Sequence, residues 1–145
     1  MITIKEIPSK ETYAVRQPVL RKGKPIESCV FEGDDLESTH HFGLFENENL
    51  TGIISLFDKI NPIFAAQNQA QIRGMAVLET HQKKGFGEAL VKYCEAHCNE
   101  NQIALIWFNA RTAAVGFYQK MNYQPLGEAF EIKDVGEHYL MFKKL

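Results

Sequence analysis

The six residues Gln82-Lys83-Lys84-Gly85-Phe86-Gly87 hold the densest chemistry in the sequence. They fall between a stretch with strand character and one with helical periodicity, so they form the entry turn of a helix. A helix N-terminus presents backbone N–H groups without intrahelical partners and a partial positive charge, which together attract anions. Gly85 and Gly87 let the backbone approach a ligand without Cβ clashes, and Lys83 and Lys84 add positive charge at the mouth. The chemistry this suits is capture of a pyrophosphate. The Walker A pattern GxxxxGK[ST] and the dinucleotide fingerprint GxGxxG are both absent, which sets aside the commoner nucleotide loops.

The loop also fits the Gln/Arg-x-x-Gly-x-Gly/Ala signature of the GNAT N-acetyltransferases. Upstream, Met75-Ala76-Val77 lies on the strand that precedes the loop in that family. Downstream, Ala114-Val115-Gly116-Phe117-Tyr118-Gln119-Lys120-Met121-Asn122-Tyr123 resembles the family segment A-x-x-[FL]-Y-x-[KR]-x-G-[FY]. The resemblance covers residues 71–123, and the order of elements matches over the rest. It implies a single domain over residues 1–145 with the GNAT fold. That fold is α/β: a mixed, centrally splayed β-sheet of about seven strands flanked by helices.

The resemblance further implies acetyl-CoA as co-substrate, no metal, and transfer to a primary amine. The acceptor is expected to be a small molecule or amino-acid derivative that attacks directly in a ternary complex. Carried over by position, the backbone amides of Gln82, Lys83, Lys84, Gly85, Phe86, Gly87 and Glu88 hold the CoA pyrophosphate. The backbone of Met75, Ala76 and Val77 pairs with the pantetheine arm, and an amide there polarises the thioester carbonyl. Gly74, inside a strand, fits a bulge that opens the gap for that arm. Tyr118 protonates the departing thiolate. Ala114 joins the cofactor wall. Seven residues before the tyrosine many members have an asparagine that contacts the cofactor; here Arg111 stands there, with Asn109 two positions earlier.

Other departures bear on mechanism. Members that modify protein lysines carry a glutamate base where this chain has Gln71, and an amide does not take up a proton usefully near neutrality. His138, opening the last strand, is the best substitute, because histidine titrates near neutral pH. A strand-edge histidine on the surface is the competing reading. Arg73 shares a strand face with Gln71, where it either meets a substrate carboxylate or pairs with a nearby glutamate. Asn122 replaces the usual glycine after the second helix and tolerates the same left-handed backbone.

Several candidates have plainer readings. Tyr118 lies on the apolar face of an amphipathic helix, where aromatic residues usually serve the core; its place in the motif favours catalysis. Lys83 and Lys84 also read as solvated surface lysines. Cys94, His97 and Cys98 share a helix face but lack a fourth ligand, so they read as core rather than as a metal site. His40 and His41 point to opposite faces of a strand and cannot both serve one site.

The elements that position these residues follow from periodicity. Ile2–Ile7 alternates as a strand, and Glu11–Arg21 has helical spacing, with Pro18 expected to kink or end it. His40–Glu46 and Leu50–Asp58 read as a hairpin across Asn47-Glu48-Asn49. Gln71–Leu78 is a strand. From Phe86 onward Ala89, Leu90, Tyr93, Cys94, His97 and Cys98 form one helix face. Ile103–Phe108 is an unbroken apolar run that suits a strand covered on both sides. Thr112 is the expected N-cap of a second helix, followed by strands at Gln124–Ile132 and Glu137–Lys143. The order is β-α-β-β-β-α-β-α-β-β, with a parallel pair near the centre.

Composition bounds the rest. A chain of 145 residues is one domain's worth, and its net charge of −2 provides no basic field for nucleic acid. No run approaches the ~18 apolar residues of a membrane span, and the N-terminus does not read as a signal peptide. Three cysteines, none in a CxxC pattern, suggest reduced thiols in the cytoplasm. The expected state is a monomer or homodimer. A CoA-binding sensor and a non-catalytic interaction module stand as alternatives.

Overall fold

The computed structural model describes residues 1–145. Along the chain run β1 (Ile2–Ile7), α1 (Ser9–Leu20), β2 (His40–Glu46), β3 (Asn49–Phe57), β4 (Gln69–Val77), α2 (Phe86–Glu100), β5 (Leu105–Arg111), α3 (Val115–Gln119), β6 (Gln124–Ile132) and β7 (Gly136–Lys144). The seven strands form one sheet in the order β1-β2-β3-β4-β5-β7-β6. β4 and β5 pair parallel, while the β1/β2, β2/β3, β5/β7 and β6/β7 pairs are antiparallel. The mixed α/β architecture with a parallel pair agrees with the element order read from the sequence. The chain divides into two compact units, Met1–Asp58 with Ile72–His97 and Lys59–Gln71 with Cys98–Leu145.

In the first unit the β2–β3 hairpin turns at Asn47 and Glu48, whose φ values of 49° and 74° are both left-handed. Paired left-handed residues make the type I′ turn, whose twist matches that of the flanking strands. Glu46 pairs with Asn49 across it, so the loop is one residue shorter than the sequence suggested. α1 packs Val15 against Ile7, Ile53 and Ala76. The helix runs two residues past Pro18, which is exposed, and ends at Leu20. The carbonyl that loses its donor to proline therefore faces water.

The inward stripe of α1 is mostly polar: Ser9, Thr12 and Arg16 are buried beside Val15. Arg16 is fully buried at 0% exposure, so its donors must find acceptors inside the protein. Nη1 donates to the Cys29 carbonyl (2.8 Å) and to Asp34 Oδ2 (2.7 Å), and Nη2 donates to Asp34 Oδ1 (3.1 Å) and Ser55 Oγ (2.9 Å). That uses four of its five N–H groups; Nε alone lacks a partner. His41 Nε2 donates to the Asp34 carbonyl (2.8 Å), which can only accept, so in the neutral ring Nδ1 accepts a hydrogen bond from the Ser55 hydroxyl (2.7 Å). Charge and hydrogen bonds thus run in one direction through Arg16, Ser55 and His41, and they fix the segment around Phe31.

In the second unit Leu105, Ile106, Trp107 and Phe108 are all buried, as a strand covered on both faces requires. Trp107 Nε1 donates to the Lys59 carbonyl (3.0 Å). The Gln69 side chain answers the backbone of Asn61 and Ala66. β5 begins two residues later than the apolar run suggested, because Ile103 donates back to the Cys98 carbonyl (2.9 Å) and belongs to the end of α2. Thr112 does not cap α3. Its hydroxyl lies 3.1 Å from Glu137 Oε1 and 3.3 Å from the Glu137 carbonyl, and a 3-10 turn at Thr112–Ala114 precedes the helix.

Asp34 is the test of the buried network. Asp34→Ala strands Arg16 as an uncompensated buried charge and should remove roughly 3–5 kcal/mol of stability. Arg16→Met together with Asp34→Ala should recover much of that loss. Urea unfolding of the two variants measures both, and a loss below about 1 kcal/mol for Asp34→Ala would contradict the assignment.

Candidate active site

The loop that precedes α2 places two left-handed residues at the entry to the helix. Lys83 and Gly85 have left-handed φ values of 65° and 82°, so the backbone alternates in the way that turns successive N–H groups into one concavity. A Cβ added at Gly85 meets nothing within 4 Å; the glycine is there for its φ and leaves open space above it. The Gly85 carbonyl accepts from the Ala89 N–H (3.1 Å), which makes Gly85 the cap residue. The N–H groups of Phe86, Gly87 and Glu88 therefore form the first turn and have no partner within the helix. Phe86, at 4% exposure, anchors this turn in the core.

Two expected loop members do other work. Gln82 donates from its side chain to the Val77 carbonyl (2.9 Å) and from its backbone N–H to the Glu79 carbonyl (3.3 Å). It shapes the loop, and its amide is already engaged. Lys84 places Nζ 3.5 Å from Glu46 Oε1, which also lies 3.0 Å from His81 Nδ1. Its charge leans on Glu46, whereas Lys83 is exposed with no ion pair.

β4 leads into this loop through an irregularity. Gly74 has φ +66°, and a Cβ there would meet the Phe31 ring at 2.9 Å. Both facts exclude a side chain, and the left-handed residue breaks the strand's alternation just before Met75, Ala76 and Val77. Arg73 is half-buried beside it, near Phe31 and Phe57.

In the second unit, register fixes which side chains share a face. Gln71 pairs with Trp107, Trp107 with Phe142, and Arg111 with His138. Because side chains alternate, Gln71, Trp107, Asn109, Arg111 and His138 belong to one face, and Phe108 and Ala110 to the other. Tyr118 packs on the second face, with its ring 4.4 Å from that of Phe108. Asn109 and Arg111 are exposed on the first, and Ala114 ends the turn into α3. His138 is buried at 5% exposure, on a strand flanked by β5 and β6. Its Nδ1 lies 2.8 Å from the Gly136 carbonyl, so Nδ1 carries the proton in the neutral ring and Nε2 is the basic nitrogen.

The amino-acid sequence matches the model of the Acetyltransferase (GNAT) family over residues 5–123. It is 33% identical over 145 residues to the uncharacterized N-acetyltransferase YitI of Bacillus subtilis (strain 168), covering 100% of this chain and 97% of that one. The chain belongs to the GNAT acetyltransferase family. It is accordingly an acetyl-CoA-dependent acyltransferase with N-acetyltransferase activity. The fold agrees with a GNAT neighbour from Lactobacillus plantarum, a putative N-acetyltransferase, at TM-score 0.82 and 16% identity, over 99% of this chain and 98% of that one. A GNAT acetyltransferase from Elizabethkingia anophelis, crystallised with acetyl-CoA bound, aligns at TM-score 0.69 and 17% identity over 99% and 98% of the two chains.

Within this GNAT enzyme, no group of three or more His, Cys, Asp or Glu side chains is placed to hold a metal ion. Cys94 and Cys98 are buried in α2. No helix is long and apolar enough to cross a membrane. Sequence reasoning missed the Arg16–Asp34 pair and the Phe31 wall. Their partners are 18 residues apart in sequence and carry no local motif.

Burial pushes the Tyr118 phenol up to about 12. Its ordinary value is 10.0, so in the folded protein the phenol binds its proton more tightly than in the unfolded chain. Unfolding then releases a proton between about pH 10 and pH 12, and the stability contribution present below pH 10 is lost as pH rises through that window. Tyr118→Phe should flatten the stability curve there. An unchanged slope in urea titrations at high pH would contradict the burial of the hydroxyl.

Proposed function

We propose that this enzyme transfers the acetyl group of acetyl-CoA to the primary amine of a small, amino-acid-like acceptor by direct attack in a ternary complex. The observation that carries the reading is the entry to α2. There the left-handed Lys83 and Gly85 and the first-turn amides of Phe86, Gly87 and Glu88 suit a pyrophosphate. Met75, Ala76 and Val77, after the Gly74 irregularity, offer backbone to the pantetheine arm. The reaction occupies the single GNAT domain of residues 1–145, and we place it in the cytoplasm, in keeping with three buried cysteines.

In the reaction the amine nitrogen attacks the thioester carbon, a C–N bond forms, and the C–S bond breaks. The amine proton must leave and the thiolate must be stabilised. Tyr118, protonated throughout the neutral range, is the donor to the sulfur. A phenol near 12 is a far weaker acid than a thiol near the ~8.5 cysteine reference. Its contribution is therefore a hydrogen bond to the developing thiolate, which departs as the anion and takes its proton from solvent afterwards. His138 Nε2 is the candidate acceptor of the amine proton, in place of Gln71. Tyr118 and His138 lie on opposite faces of β5, an arrangement that suits a thioester and an amine approaching from opposite sides.

Acetyl-CoA at a hundredfold excess over its Kd should stabilise the protein by about 2.7 kcal/mol, and Gly85→Asp should abolish that gain by placing bulk and negative charge in the loop. Tyr118→Phe should lower turnover ~10²-fold with little effect on acetyl-CoA affinity. His138→Ala should lower turnover at neutral pH while leaving acetyl-CoA affinity intact. Equal thermal shifts for wild type and Gly85→Asp would overturn the pyrophosphate assignment. Turnover unchanged in His138→Ala would remove that residue from the mechanism.

A further inference from the structure

We propose that Arg73 is the anchor for a carboxylate on the acceptor, so that the amine substrate is a monoanion of the amino-acid type. The proposal rests on the acetyltransfer reading above and adds the chemical class of the acceptor.

The guanidinium of Arg73 is 4.9 Å from the Phe31 ring centroid and 5.2 Å from that of Phe57. Both rings are themselves buried, at 7% and 6% exposure. Aromatic contact of this kind holds a guanidinium without consuming its N–H donors. Arg73 makes no ion pair and no hydrogen bond within the protein, although a half-buried guanidinium carries five N–H donors. The glutamate pairing that the sequence left open does not form. A planar fork held by two rings and lacking an acceptor matches a carboxylate in shape and charge.

The surroundings favour a single negative charge. Arg16 and Arg21 also approach Phe31, at 3.8 Å and 5.1 Å from the ring. Arg16 is neutralised by Asp34, and Arg21 is turned toward the carbonyls of Ser28 (3.2 Å) and Leu20 (3.1 Å). The charges that bear on Arg73 are Asp34 and Glu32 against Arg16 and Arg21. Counting Arg73 itself, this leaves one positive charge in excess. Burial lowers the pKa of Arg73, with Asp34 opposing that effect and Arg16 and Arg21 reinforcing it. An arriving anion relieves this, whereas a neutral amine does not.

Position connects this fork to the chemistry. Arg73 precedes Gly74, where β4 turns left-handed, and Met75 follows it. Phe31, which holds Arg73, also occupies the space that a Cβ on Gly74 would need. The carboxylate anchor is therefore built into the same irregularity that leads to the proposed thioester-polarising amides. Lys83, the other unpaired cation near the site, sits on the far side of the Met75–Val77 segment in sequence and belongs to the pyrophosphate loop.

The experiment compares L-amino acids with their carboxamides as acceptors, following thiol release from acetyl-CoA. Wild type should favour the acids by roughly 10–100-fold in kcat/KM, the range expected for a charge-assisted pair. Arg73→Met should bring that ratio close to one, and Arg73→Lys should leave an intermediate ratio because it keeps charge without the fork. A ratio unchanged in Arg73→Met, or a preference for carboxamides in wild type, would overturn the proposal. If no acceptor in the panel turns over, titration calorimetry of the same pairs on the CoA-bound protein decides. Binding of acids that is lost in Arg73→Met supports the anchor, and absence of acid binding overturns it. Acetyl-CoA stabilisation in Arg73→Met shows that the variant is folded. Its absence in wild type would count against the acetyltransfer reading instead.

Discussion

A fully buried arginine is the constraint from which the first unit follows. Arg16 has no access to water, and it is tolerable only because a carboxylate, a carbonyl and a hydroxyl converge on it. That convergence brings Cys29, Asp34 and Ser55 to one point and so orders a stretch that otherwise holds only a short 3-10 helix, Ile26–Cys29. Phe31 is a consequence: its backbone N–H donates to Asp34 Oδ2 (2.8 Å), and its ring lies against the Arg16 guanidinium. Gly74 is then obligatory, since any side chain there would collide with that ring. The strand irregularity next to Met75 is thus tied, through Phe31, to a single ion pair.

The second unit solves a different problem with the sheet's alternation. β5 presents Phe108 and Ala110 on one face and Trp107, Asn109 and Arg111 on the other. Aromatic packing with Phe108 holds Tyr118 and raises its pKa, while β7 carries His138 on the opposite face with its basic nitrogen defined by the Gly136 carbonyl. The pleat of β5 therefore sets Tyr118 of α3 and His138 of β7 on opposite faces of the strand.

Much of this was legible in the sequence, for identifiable reasons. The helix-entry loop is local chemistry, read from Gln82 to Gly87 in one stretch, and the hairpin was legible across Asn47-Glu48-Asn49, although its turn is one residue shorter. The bounds of β6, Gln124–Ile132, were recovered because Asn122 before it and the polar run after it punctuate the chain. α1 was harder, because its buried stripe of Ser9, Thr12 and Arg16 reads as a solvated face by hydropathy. The same mismatch hid the Arg16–Asp34 pair, whose energetics depend on distant partners and not on spacing. His138 sat between two readings, since a strand's neighbours decide whether a histidine is surface or interior, and β7 turned out to be flanked by β5 and β6.

The central claim is that the amides from Lys83 to Glu88 receive the diphosphate of CoA. Amide chemical shifts measured by NMR with CoA and with pantetheine, which lacks the nucleotide diphosphate, test it most directly. The account predicts that CoA moves the resonances of Lys83, Gly85, Phe86, Gly87 and Glu88, and that pantetheine leaves them in place while still perturbing Met75–Val77. Saturating CoA that leaves the Lys83–Glu88 amides unmoved would contradict it.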